Sequence, residues 1–398
     1  MGLKTAIIGG GMSGLCAAIL LAREGADVTV HERQEAPAKK LLLTGNGRCN
    51  LSNVSVSCSD YVCGDPAKLR GILACLTQTR RDEFFAGIGL MLCELRGGLY
   101  PASRQASSAR DCLLLAAQEL GVKLRTDSYV KGLDEDKRLL LRDGSLTEAY
   151  DIVIIASGGK AGVYGEEGEN GKKLLRSIGH EMKNEHPALT HILCAEDLSA
   201  VAGVRCDAAV SLHVSSGTYR ESGELQITKN ALSGIPVFQL SRYLDEESGV
   251  LSVDFLPRAE CDRVWFRKRL EEQKGRDLEG LLCGVLQKKL ANWLITSFGR
   301  KPSDKVSSMD PAEADAFFEM LRNKRFTACG LGKYREAQLM SGGVPLDEVS
   351  DGLESRFRED VYLCGELLDV NGACGGYNLH FALASAFRVR DEILRKKR

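Results

Sequence analysis

"KTAIIGGGMSGLCAAILLAREGADVTVHER", residues 4–33, holds a short apolar run, a glycine cluster and a longer run with helical apolar spacing. The run from Lys4 to Ile8 reads as a strand, and the helix that follows should end at Gly25 in a left-handed cap. A second strand, Asp27 to His31, comes directly after, so the stretch is a βαβ unit. Its turn reads G-x-G-x-x-G at Gly9, Gly11 and Gly14, with Met12 and Ser13 opening the helix. Gly9 permits the tight turn, Gly11 lets backbone approach a pyrophosphate, and Gly14 lets helix pack on strand. The unpaired N–H groups at the helix start suit phosphate charge. Glu32, followed by Arg33, ends the second strand, where a carboxylate can accept from a ribose diol. The unit predicts a bound dinucleotide but does not distinguish NAD from FAD, since both present an ADP moiety.

Two further segments favour FAD. In "YDIVIIASGGKAG" an apolar strand from Asp151 to Ala156 runs into Ser157, Gly158 and Gly159. Such a strand end usually meets the adenylate side of a flavin nucleotide. In "DVYLCGELLDVNGACGGYNLHFALASAFRVRDEIL" a strand from Val361 to Cys364 precedes Gly365 and Glu366, and Gly375 and Gly376 open a long apolar helix. A helix N-terminus aimed at a flavin's pyrimidine edge stabilises the negative charge that reduction leaves there.

The bulk properties are those of a folded enzyme. The 398 residues are 44% hydrophobic and 27% charged, with a net charge of -1. At roughly 100–200 residues per domain this length makes two or three domains. The near-zero charge gives no electrostatic case for a nucleic-acid or membrane partner. No stretch reaches the ~20 apolar residues of a membrane helix, and the N-terminus lacks a signal-peptide layout, so a cytoplasmic location is expected. The 14 cysteines include no C-x-x-C pair and no zinc spacing, so no metal is expected and most thiols should be reduced and buried.

With "GGGMSG", "KKLLLTGNGRCNLSN", "GLYPASRQAS", "IVIIASGGKAG", "LSGIP", "SGGVPLDEV" and "YLCGELLDVNGACGGYNLHFALASA" in order from end to end, the chain resembles the BaiN-like family of bacterial NAD(P)/FAD-dependent oxidoreductases, also known as aminoacetone-oxidase-type flavoproteins. The resemblance implies that the "TGNGRCN" loop belongs to the flavin site. There Gly45 and Gly47 allow close backbone approach, Arg48 offers a positive fork to pyrophosphate or reduced ring, and Asn46 and Asn50 can each donate and accept. Cys49 reads as a packed, inert thiol. Further expected cofactor contacts are Lys40, Val130, Asp369, Tyr377, Asn378 and Leu379. Three places depart from the family pattern: Ser157 for threonine, "KNA" at Lys229–Ala231, and Ala373-Cys374 for proline-threonine. The last two are expected to face substrate.

The expected fold class is α/β: a Rossmann-type FAD-binding domain, residues 1–187 and 334–398, split by an insertion. Alternating residues in "CDAAVSLHVSSGTYRESGELQIT" predict a β-rich, barrel-like subdomain over 188–256. Helical spacing in "AECDRVWFRKRLEEQKG", "DLEGLLCGVLQKKLANWLI" and "DPAEADAFFEMLRN" predicts a helical subdomain over 257–333. A cleft between the halves is the expected substrate site. The expected reaction is NAD(P)H-driven reduction of an activated C=C bond in an enone or a bile-acid-like small molecule, through flavin N5. The catalytic candidates are Tyr377 and Arg48, and Tyr100, His186 and His191 are weaker candidates for proton donor. The insertion has no second G-x-G-x-x-G for the nicotinamide. An oxidase of a small amine or hydroxyl compound and a non-catalytic redox sensor are the alternatives, and the oligomeric state is not legible.

Overall fold

The computed structural model describes residues 2–162, 170–244 and 248–397. Contacts divide the chain into two units, Met1–Pro187 with Tyr334–Arg398, and Ala188–Lys333. Each has its own apolar core.

The first unit is built on a five-stranded parallel sheet, ordered Val361–Leu363, Ile152–Ile155, Lys4–Ile8, Asp27–His31, Lys123–Arg125. All four residues of Ile152–Ile155 are buried, which is why this strand reads as an unbroken apolar run rather than an alternation. Helix Met12–Arg23 is buried from Met12 to Leu21 and ends before Gly25, whose φ is 84°. The closing helix Tyr377–Lys397 packs against it, although the two are far apart in sequence. Helix Ala106–Glu119 also belongs to this unit, with Gly121 left-handed just beyond it. Small antiparallel pairs extend this frame: Ser52–Asn53 and Leu92–Leu95 flank Gly98–Pro101, and Tyr61–Cys63 pairs with Val370–Gly372.

The second unit contains a closed six-stranded barrel, ordered Ile192–Cys194, Ala231–Ser233, Gly217–Ile227, Arg205–Val214, Gly249–Asp254, Lys324–Leu331. Its longest hairpin is the alternating segment, paired from Val214↔Gly217 to Arg205↔Gln226. Ala208, Val210 and Leu212, two residues apart, are all buried in its core. The helices Arg263–Glu272, Leu278–Leu282 and Pro311–Arg322 start at Asp262, Asp277 and Asp310. Each aspartate accepts from the N–H three residues on, at 2.7 Å for Asp262 and 2.8 Å for the other two. The helical reading of 257–333 needs one correction. Lys324–Leu331 is a barrel strand, pairing with Gly249–Asp254 and Ile192–Cys194. Its charges and glycine dilute the alternation in sequence, and its strand character comes from distant partners that satisfy its backbone groups.

Candidate cofactor site

The nucleotide turn divides its glycines by what surrounds them. An added Cβ on Gly14 would collide with the Gly9 carbonyl oxygen, and one on Gly9 with that of Ala156. A Cβ on Gly11 would meet nothing within 4 Å, so the space on that side is open. Gly11 is extended and no side chain caps the helix it precedes, which leaves the first-turn N–H groups facing that space. Glu32 is fixed by the N–H groups of Gly10 at 2.8 Å and Gln34 at 2.9 Å. It lines a cleft with Gly9, Arg33, Val130 and Ser157. Ser157 Oγ is buried there without a hydrogen-bond partner. Ala156, at 3% exposure, and Gly158, left-handed at φ 66°, flank it. His31 and Ser128 also line the cleft, and His31 bonds Ser128 Oγ at 2.8 Å and Tyr150 Oη at 3.2 Å. Burial, aided by the Arg125 charge, pushes its pKa down to about 4, so it is neutral near pH 7.

The "TGNGRCN" loop forms a second cluster. Lys40–Gly47 is a tight helical turn broken where Gly45 and Asn46 take left-handed φ of 57° and 54°. Cys49 is also left-handed and fully buried, and burial pushes its thiol up to about 12. The Asn50 amide lies against the closing glycine turn, since a Cβ on Gly376 would stand 2.7 Å from Asn50 Oδ1. That Oδ1 is buried and has no hydrogen-bond partner. Asn53 Nδ2 donates to the Gly375 carbonyl at 3.1 Å. Arg48 is exposed, and so are Gly45, Asn46 and Gly47.

Other candidates are held by neighbours. Lys40 Nζ pairs with both carboxylate oxygens of Glu366, at 2.7 and 2.5 Å, and Glu366 also accepts the Met340 N–H at 3.2 Å. Asp369 pairs with Lys183 at 2.7 Å. Asn378 is bound both ways to the Gly372 backbone, at 2.8 and 3.0 Å. Gly365 sits against Ser13, which joins the closing segment to the nucleotide turn. Met12 is buried, and Leu379 packs on the same core. Tyr377 opens the closing helix; Tyr61 Oη donates to its carbonyl at 2.9 Å and the two rings meet edge-on at 6.1 Å. Burial and the Asp60 carboxylate raise the Tyr377 phenol, keeping it protonated. Tyr100 runs beside Gly45, whereas His186 lies in strand Lys183–Ala188 and His191 in the second unit.

Sequence reading missed four residues beside the loop: Ser52, Arg81, His380 and Tyr61. Ser52 Oγ and His380 Nδ1 are 2.8 Å apart, and Arg81 Nη1 donates to the Asn53 carbonyl at 3.2 Å. Only His380 carried a signal, as a titratable residue on the buried face of an apolar helix.

A Ser–His–Glu arrangement elsewhere calls for comparison with a hydrolytic triad. His180 bonds Ser355 Oγ at 2.8 Å and Glu348 at 2.9 Å through opposite ring nitrogens. The N–H groups beside the serine are already used: Ser355 to Val361, Arg356 to Glu348, Phe357 to Ser355 Oγ. None of these three is left for an oxyanion, and Ser355 is 7% exposed, so the arrangement fastens loops together.

The profile of the HI0933-like protein Rossmann domain matches residues 3–391. The chain belongs to this family. A relative from Clostridium scindens, 3-dehydro-bile acid delta(4,6)-reductase, is 36% identical across 96% of this chain and 97% of its own. The Escherichia coli ribosomal RNA dihydrouridine synthase is 26% identical across 98% of each. A solved structure, the 3-ketosteroid-delta4-(5alpha)-dehydrogenase of Rhodococcus jostii RHA1 with 4-androstene-3,17-dione, aligns over 98% of this chain and 96% of its own, with TM-score 0.47 and 14% identity. The HI0933-like chain has the Rossmann-type FAD-binding fold and is an FAD-dependent oxidoreductase. With relatives named for ribosomal RNA, the exclusion of nucleic acid drawn from net charge does not stand on its own. Among the described residues no helix is long and apolar enough to cross a membrane, and no group of three His, Cys, Asp or Glu could hold a metal.

Proposed function

We propose that this protein reduces a C=C bond conjugated to a carbonyl in a small apolar molecule of bile-acid or steroid type, with NAD(P)H as electron donor. The observation that carries the reading is the 36% identity, over nearly the whole of both chains, to a bile-acid delta(4,6)-reductase. The chemistry of the names supports it. A 3-oxo-Δ4 steroid is an enone, and the C5=C6 bond of uridine is conjugated to a ring carbonyl, so both named reactions saturate an activated alkene.

The residues fit FAD. The open space at Gly11, with the uncapped helix behind it, takes the pyrophosphate; Glu32 takes the ribose; the unpartnered Ser157 Oγ and Asn50 Oδ1 offer hydrogen-bonding atoms to a polar ligand. When bound, FAD would supply hydride-transfer chemistry between the nicotinamide and the alkene carbon β to the carbonyl. The chain's part is orientation and proton supply. Tyr377 holds a proton on its phenol oxygen, for the α-carbon or for hydrogen bonding to the carbonyl, and Tyr61 braces it. Arg48, exposed on the loop, offers positive charge to the phosphates or to the reduced ring. The step balances as NAD(P)H and one proton giving NAD(P)+ and the saturated product, a hydride at the β-carbon and a proton at the α-carbon.

Anaerobic titration with NADH and NADPH, then stopped-flow reoxidation, tests the reading. A conjugated steroid enone should reoxidise the flavin faster than air-saturated buffer does. Preference for unmodified ribosomal RNA over any enone would move the substrate to uridine. Oxygen winning against both, with an amine or hydroxyl compound bleaching the oxidised flavin, would establish an oxidase; no turnover with any of them would favour a sensor.

A further inference from the structure

Beside the nucleotide cleft the first unit holds a second, larger cavity of about 560 Å³, a volume within the range of small-molecule sites. Its lining comes from the two strands at one edge of the parallel sheet, Asp27–His31 and Lys123–Arg125, and from two antiparallel strands, Arg138–Leu141 and Leu146–Ala149. His31 lies opposite Arg125 at the carboxyl ends of the edge strands, the end of an open α/β sheet where ligands bind. The segment that follows is pinned by its backbone. Asp127 N–H donates to the Gln34 carbonyl at 3.0 Å and Ser128 N–H to that of Glu32 at 2.8 Å. His31, Ser128 and Tyr129 line both cavities, so the two share a wall.

The lining is polar. Leu141 is its only aliphatic residue among those described, while Thr29, Thr126 and Thr147 bring hydroxyl groups, so an apolar substrate does not suit it. Its charges divide into those with partners and those without. Lys123 is taken by Asp27 at 2.8 Å and Glu148 by Lys4 at 2.5 Å, both partners lying outside the lining. Asp143 accepts from Ser145, the N–H at 2.9 Å and Oγ at 2.7 Å, and so closes its own turn. Among the described residues Arg125, Arg142 and Asp127 have no ion pair, and the Arg142 guanidinium lies over the Tyr129 ring at 5.3 Å. The cavity therefore offers a positive fork for a phosphate, a cation–aromatic pair on which a base stacks, and acceptors for sugar hydroxyls and base N–H groups.

We propose that this cavity is a second nucleotide site, for a nucleoside 5′-monophosphate. Arg125 holds the phosphate, the Arg142–Tyr129 pair stacks the base, and Asp127 accepts from base or ribose. The site stands apart from the FAD reading, because neither Gly9, Gly11 nor Glu32 lines it.

Calorimetric titration of the protein in excess FAD, with AMP, UMP, adenosine and inorganic phosphate, tests this while the first cleft is kept filled. Both nucleotides should bind, since stacking tolerates any base, and adenosine and phosphate should each bind about tenfold more weakly than AMP or worse. Arg125→Ala should weaken AMP about tenfold and leave adenosine unchanged, with Arg125→Lys restoring part of the loss. Arg142→Ala should weaken AMP and adenosine alike, and Arg142→Lys should not restore them, because the planar group is gone. Both arginines are exposed, so these variants should keep the wild-type urea midpoint. No heat with either nucleotide, phosphate alone binding as tightly as AMP, or unchanged AMP affinity in both alanine variants overturns the proposal. AMP affinity that falls in Glu32→Ala but not in Arg125→Ala would put the nucleotide in the first cleft and overturn it as well.

Discussion

Gly11 and Gly14 stand three positions apart in one turn, yet alanine at each should act differently. Gly14→Ala drives a methyl group into the Gly9 carbonyl oxygen, so the apoprotein should lose about 1–3 kcal/mol, visible as a lower urea midpoint. Gly11→Ala meets nothing within 4 Å, so the apoprotein midpoint should stay within about 0.5 kcal/mol of wild type while FAD affinity falls at least tenfold. Equal loss of stability in both variants would mean that Gly11 is not the face left open for phosphate. Arg48 is exposed, so Arg48→Ala should not move the midpoint either. Unchanged flavin content together with an unchanged reduction rate would remove Arg48 from the site.

The closing helix Tyr377–Lys397 meets the nucleotide helix along its length and the loop at its start, so changes near its first turn should separate chemistry from binding. Tyr377→Phe keeps the ring contact with Tyr61 and loses only the hydroxyl. Enone-dependent reoxidation should slow by about tenfold or more, within the range of general-acid contributions, with flavin content unchanged. Stopped-flow traces that match wild type would take Tyr377 out of the proton path. In the second unit Asp310 caps Pro311–Arg322, and Asp310→Ala should cost about 1 kcal/mol in thermal or urea unfolding.

Taken as one molecule, the protein should lose stability in mild acid before its carboxylates protonate. His31 and His380 are pushed from 6.5 to about 4, mainly by burial, and His180 is also lowered. A folded-state pKa below the unfolded one makes the contribution complete above about pH 6.5. It is lost as the pH falls towards 4, where the folded state also takes up the proton. Each of the two strongly shifted histidines is worth on the order of 3 kcal/mol over that window. Urea midpoints should therefore fall between pH 7 and 5, and His31→Gln should flatten the slope. A flat wild-type profile across this range would refute the assignment. Removing FAD should lower the midpoint further, by about 2.7 kcal/mol when free FAD had stood at a hundred times its dissociation constant.

The βαβ unit was legible because its signals are local: strand, glycine turn, helix and Glu32 all fall within residues 4–33, and hydrogen bonds within the unit enforce them. The barrel hairpin was legible for the same reason, with alternation and a two-residue turn in one stretch. Lys324–Leu331 was not, because its partners lie in distant segments and its composition suits no single element. At the flavin loop, residue types marked Asn46, Arg48 and Asn50 as candidates, but spacing cannot say which atom is left unmatched. That depends on Ser52 meeting His380 and Arg81 meeting Asn53, contacts between segments with no common periodicity. Local chain chemistry dictates elements and turn glycines, whereas burial and hydrogen-bond satisfaction are properties of the packed whole. For that reason the exposed Arg48 and the buried, unpartnered Asn50 Oδ1 could be told apart only once the chain was folded.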